Sequence, residues 1–385
     1  MTSIFRKAAL LPFAFPLALL AAAGSAQAVD FKAGEWDLSL GGFINAYYTY
    51  ASCSGNQAIT GTALASQALG CNGKKDSTVI GNGLLPNALV VGAKTQQGGY
   101  DIGATLMIGA AVATGSAIGS NSAVDVRQGF FTLGKADMGT FKIGRDYGIF
   151  GANAILSDMT LLGVGQATAA TQRGRVSLGH IGAGYTYLGH YGQFSYSSPT
   201  VQGFSANAGL FSPVDGSNPA TGSSPQMQAQ LAYAFTGGKA WAGLKTQNFD
   251  ASAVGANDSF RMNGAEVGMS LQLGQFGLLA NYQNGKGLGL LSDGDSGASK
   301  QDNLLLQGTF NLTPSLKLGL GWGETRLKAG AGNTLESNTS TTLGAYYKLV
   351  PSVTLVGELS QTESKPFVGA RAKQSAVSAG AILFF

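Results

Sequence analysis

Few residues in this chain could do bond chemistry. His180 and His190 are its two histidines, and neither lies near a recognisable nucleophile motif. A hydrolytic site would need a Ser–His pair supported by Asn or Asp on one wall. Structural or solvent-facing roles are therefore expected for both rings. Asp293-Gly294-Asp295 suggests a calcium loop, but no spaced ligand set and no distal Glu accompany it, so a plain solvated loop is expected. Gly294 and its neighbours give no phosphate loop that runs into a helix. Cys53 and Cys71 stand 18 positions apart in one Gly/Ser/Ala/Asn-rich stretch. In an oxidising compartment they are expected to form a disulfide that staples this stretch, with two free thiols as the alternative. Two Cys and two His make metal binding improbable, and no cofactor is implied.

The elements that carry these residues follow from the two ends of the chain and its composition. Arg6 and Lys7 precede an apolar run from Ala8 to Ala23, and Ala26-Gln27-Ala28 has the small residues of a cleavage site. Residues 1–28 are read as a secretory signal peptide, leaving 29–385 as one domain. Pro12 and Pro16 interrupt the run and argue against a membrane anchor. Only 11% of residues are charged and 44% are hydrophobic, whereas a soluble domain carries about 25% charged residues. Beyond the signal peptide no apolar stretch reaches the roughly 18 residues of a spanning helix. The net charge of +4 falls to +2 without Arg6 and Lys7, too small a balance for nucleic acid binding.

An exported, apolar chain without a spanning helix fits a β-barrel, in which each strand needs only alternate residues to be apolar. From Gln374 to Phe385, Val377, Ala379, Ala381, Leu383 and Phe385 share one parity, with Ser378 and Gly380 on the other. Pairing such a last strand with the first removes an exposed edge. With lipid outside and water inside, the closed sheet is a membrane barrel. Strands are expected near 36–50, 85–95, 100–113, 123–134 and 140–145. A connection of about 40 residues follows, Asp146 to Gly189. Eleven more strands are expected near 190–198, 203–212, 225–236, 239–249, 260–273, 275–284, 302–312, 316–327, 339–349, 352–362 and 374–385. Sixteen strands put both termini on one side, beside the short turns, which is the periplasmic side in this register. Trp36, Tyr233, Phe235, Trp241, Phe276, Phe310, Tyr347 and Phe385 are expected there as an aromatic girdle. A soluble sandwich has no reason to place aromatics at one set of strand ends.

Several segments resemble Gram-negative general porins. Tyr196-Ser197-Ser198-Pro199 followed by Gly203-Phe204 is similar to their Tyr-x-Ser-Pro turn and Gly-Phe start of the next strand. Arg127–Gly134 and Gly139–Arg145 resemble the hairpin before the porin constriction loop. Gly41-Gly42-Phe43 and the terminal Phe385, the expected assembly signal, match as well. The resemblance implies an all-β, transmembrane antiparallel 16-stranded β-barrel with an inward-folded third extracellular loop. It also implies a homotrimer in the outer membrane, in contact with the lipid bilayer. The longest connection falls where that loop belongs. Asp158-Met159-Thr160-Leu161-Leu162-Gly163 stands there in place of the Pro-Glu-Phe-Gly-Gly that porin loops often carry.

In the family, acids on the loop face bases on the wall, and this field sets selectivity. The resemblance therefore implies Asp158 and Asp146 as the acids, with Arg127, Arg145, Arg173 and Arg175 as the bases. Arg173 and Arg175 share strand parity. Four bases against two acids suggest mild anion preference. Arg261, Arg326 and Arg371 border long loops and are expected near the outer rim. The function expected is passive diffusion of small hydrophilic solutes and ions, with no catalysis. A substrate-selective anion or organic-acid channel of the same fold is the alternative. An outer-membrane lipase and a secreted soluble adhesin are the readings from other classes. Activity after loss of both His would argue against the lipase, and extraction without detergent would favour the adhesin.

Overall fold

The computed structural model describes residues 29–112, 124–168, 177–216, 220–250 and 259–385. Sixteen strands form one closed antiparallel barrel. They are β1 (Trp36–Gly55), β2 (Asn87–Gln97), β3 (Tyr100–Ala110), β4 (Asp125–Lys135), β5 (Gly139–Tyr147), β6 (His190–Ser197), β7 (Phe204–Phe211) and β8 (Gln226–Phe235). β9 (Gly238–Asp250), β10 (Phe260–Leu273), β11 (Phe276–Lys286), β12 (Lys300–Asn311), β13 (Leu316–Leu327), β14 (Leu335–Val350), β15 (Val353–Pro366) and β16 (Ala372–Phe384) complete it. All sixteen stand where the alternation places them.

The alternation is inverted relative to a soluble protein. Along β8, Leu231 is 52% exposed, whereas Gln228 and Gln230 are 2% and 4% exposed. Leu320, Leu343, Leu359 and Val377 repeat the pattern on the outer face. An unpaired amide in hydrocarbon costs several kcal/mol, so a lipid-exposed sheet must leave no open edge. Closure supplies the last ladder: Phe43–Gly55 pairs with Ala372–Phe384. The Gly42 and Phe385 backbones then exchange hydrogen bonds of 2.8 and 3.0 Å.

Two further strands that pair with β1 were not legible as alternation. Val29–Ala33 pairs with Trp36–Leu40 in the lane that β16 vacates, so the two occupy successive stretches of one edge of β1. Asp76–Gly81, inside the stretch expected to be a connection, pairs with Tyr47–Ser52. The Cys53–Cys71 disulfide is formed and joins β1 to that stretch.

Short turns gather at one end. Around them Phe204 stacks on Tyr233 at 4.4 Å, Phe276 meets Phe310 at 4.8 Å, and Tyr347 is exposed. Trp241 departs from the expected girdle. Its parity is that of Lys239 and Lys245, so it faces inward, and its Nε1 donates to Asn281 Oδ1 at 3.2 Å.

Candidate functional site

The connection between β5 and β6 holds the site. Its described residues, 148–168 and 177–189, run against the polar face of the sheet, and the wall satisfies their backbone amides. Ile149 and Phe150 N–H donate to Gln228 Oε1 at 2.7 and 2.8 Å. Gly151 N–H reaches both Glu266 oxygens at 3.1 Å. Ala152–Ser157 then makes a short helix. Met159 N–H donates to Gln307 Oε1 at 2.7 Å, and Val164 and Gly165 N–H donate to Glu358 at 2.8 and 2.6 Å. Thr186 N–H donates to Gln283 Oε1 at 3.0 Å. Tyr47 on β1 gives its hydroxyl to Leu162 O. The anchors thus lie on β1, β8, β10, β11, β12 and β15, around most of the barrel. An irregular segment must find partners for each buried amide. Inward Gln and Glu side chains supply them here.

Close approach is made possible by β13. Gly319, Gly321 and Gly323 share its inner face, opposite Leu318, Leu320 and Trp322. A β-carbon at 321 would stand 2.9 Å from His180 Cε1, and one at 323 would stand 2.9 Å from Gly184 Cα. Only hydrogen at these positions leaves the segment its path.

Asp158 is the buried centre of this segment. Its carboxylate accepts from Thr160 N–H at 2.9 Å, Thr160 Oγ1 at 2.7 Å and Tyr185 Oη at 2.8 Å. His180 Nδ1 lies 3.0 Å from Oδ2, the oxygen that also accepts from Tyr185, and both side chains are fully buried. Burial alone would raise the Asp158 carboxyl, but the His180 charge and the Thr160 donors outweigh it and hold it below the usual carboxylate range. Burial would lower His180, and Asp158 overrides it, so the imidazolium is favoured above the usual range. The geometry makes Asp158 a latch within the segment.

The other expected site residues separate. Asp146, at the end of β5, accepts from Gln128 Nε2 and Tyr147 N–H at 2.8 Å and pairs with Lys142. Arg127 points inward because a β-bulge between Met107 and Gly109 turns it and Gln128 to the same side. Its guanidinium meets Asp125 at 2.7 Å and Tyr187 Oη at 3.2 Å. Arg145 is exposed and has the outward parity of Phe141 and Ile143. Arg173 and Arg175 lie outside the described residues. Asp293 corrects the reading of a solvated loop: it is buried, 2.6 Å from Lys245 Nζ, and accepts from Tyr191 Oη and Gln226 Nε2 at 2.9 and 2.8 Å.

Sequence reasoning about arginines passed over the lysines. Lys142, Lys239, Lys317 and Lys348 all carry inward parity near the short turns. Lys239 Nζ donates to Asn153 Oδ1 at 2.7 Å, and Lys317 Nζ sits 5.0 Å from the Tyr346 ring centroid. The signal was available, because Lys317 and Lys348 oppose the leucine rows of their strands.

Comparison with known proteins agrees with this architecture. The sequence profile of a family described as Gram-negative porin matches residues 16–366. No curated protein matches significantly. The anion-selective porin of Comamonas acidovorans superposes with a TM-score of 0.66 at 18% identity, covering 91% of this chain and 100% of that one. The outer-membrane channel DcaP of Acinetobacter baumannii gives 0.67 at 17%, covering 92% and 99%. Salmonella typhi OmpF, in complex with daunomycin, gives 0.60 at 16%, covering 93% and 100%.

Proposed function

The chain belongs to the Gram-negative porin family, and from that premise we infer what its channel admits. It is an outer-membrane channel for passive diffusion. On our reading it passes small hydrophilic solutes and ions, with mild anion preference. The supporting observation is the inward lysine set on β5, β9, β13 and β14, of which only Lys142 has a carboxylate partner among the described residues. Charged groups in water-filled lumen stay solvated, so they tune the field at little cost. The segment 148–189 is read as the inward-folded third loop that narrows the path. Arg127 and Asp146 remain candidate charges beside it, and Arg173 and Arg175 stay candidate wall bases. Arg145, with its outward parity, is read as a rim residue. Export by residues 1–28, assembly as a homotrimer through β1 and β16, and the absence of catalysis complete the proposal.

One observation favours the substrate-selective alternative. Leu64, Ile181, Tyr185 and Leu188 form a buried apolar cluster with the inward wall residues Trp241, Leu279 and Leu305. Such filling narrows the water path, and a narrow path favours a selective channel over a general one. Planar-bilayer recordings in a potassium chloride gradient test both. A reversal potential of anion-preferring sign is expected. Cation preference would overturn the charge reading, and saturation with one solute class would favour the selective channel.

A further inference from the structure

At the short-turn end, four polar side chains share the inner face of β12 to β15. Asn311 is the direct cross-strand partner of Lys317, and Lys348 that of Thr354. Lys317 pairs with Tyr346, which places Lys348 one inward position further along the same strand. The two lysines are diagonal neighbours, about 7–8 Å apart. The Lys317 ammonium lies over the Tyr346 ring, 5.0 Å from its centroid. Neither lysine forms an ion pair among the described residues, whereas the lysines at the opposite rim do, as in Lys328–Asp302 and Lys365–Glu336. The nearest inward acid on these strands, Glu358, is committed to Tyr346 Oη, Val164 N–H and Gly165 N–H. Both lysines thus stand at neighbouring inward positions with no carboxylate partner among the described residues. An amide donor flanks one and a hydroxyl donor the other.

We propose that Asn311, Lys317, Lys348 and Thr354 form a subsite for a small divalent oxyanion, a phosphate or a dicarboxylate, at the short-turn mouth of the channel. Two separated ammonium groups match two charges on one solute, and a monovalent chloride can satisfy only one. The amide and hydroxyl donate to the remaining oxygens, which chloride lacks. This rests on the channel reading above and deepens it by naming a solute class and a sidedness.

The test is chloride current through the full mature protein in a planar bilayer, with inorganic phosphate at pH 8 or succinate added to one side. Block is expected at least fivefold more potently from one side than from the other. Succinate as potent as phosphate assigns the site to paired charge, and phosphate alone assigns it to the tetrahedral anion. The double variant Lys317→Gln/Lys348→Gln should lose the block fivefold or more, Lys348→Arg should keep it, and Lys328→Gln should not change it. Should the double variant fail to fold, Lys348→Gln alone should still weaken the block two- to threefold. Block that is equal from both sides, or insensitive to these lysines, in a conducting channel overturns the subsite alone. A folded wild-type barrel that carries no current overturns the channel reading and the subsite with it.

Discussion

Asp158 shows how a residue can be picked for one role and hold another. It was expected to face solute across the channel, and it instead closes a knot with His180, Tyr185 and Thr160. Losing one partner of a buried pair costs about 3–5 kcal/mol, because the other charge is left uncompensated. Asp158→Asn should therefore loosen the segment, read as increased open-channel noise, while the barrel itself still folds. The pH dependence has two limbs. His180 is raised in the folded protein, so its contribution is complete below the ordinary His value of about 6.5 and is lost as pH rises through the higher folded value. Asp158 is lowered, so its contribution is complete above the ordinary Asp value of about 3.9 and is lost as pH falls through the lower folded value. Current noise recorded across this range should be least between the two limbs in the wild type. In Asp158→Asn the alkaline limb should vanish, and its persistence would detach the limb from this pair.

At the scale of elements, β13 presents leucine and tryptophan to lipid and three glycines to the segment. Gly321→Val would put its methyls into the place of His180 and Met159. It should leave the barrel intact in heat-modified electrophoresis and displace the segment, raising single-channel conductance. An unchanged conductance would mean that the segment does not limit flow. The Cys53–Cys71 bond acts on a neighbouring element. Closing a loop of this length contributes about 3 kcal/mol in the chain-entropy account. Cys53→Ser should accordingly lower the urea midpoint of the purified barrel, and an unaltered midpoint would show that the reduced chain is already ordered there. Strand existence was legible because period-two alternation is a local property. Val29–Ala33 and Asp76–Gly81 were not, because both pair with β1 at lanes fixed only by barrel closure.

For the whole molecule, the outer face must stay apolar at mid-depth. Leu231→Arg on β8 is expected to destabilise the folded barrel by about 2–4 kcal/mol, measured by unfolding from liposomes. A cost near zero would contradict the assignment of Leu231 to the lipid face. Alternation and the Tyr196–Phe204 turn determined the fold class, the strand count and the lipid-facing rows from sequence alone. Each is a short-range pattern that lipid and backbone chemistry enforce residue by residue. The fate of each charge was another matter. Arg127 faces inward through a bulge, and Asp293 reaches across to Lys245. Only the tertiary structure decided these, because a charge is placed by partners more than fifteen residues away in sequence or by a one-residue slip of register, and neither leaves a mark on local pattern.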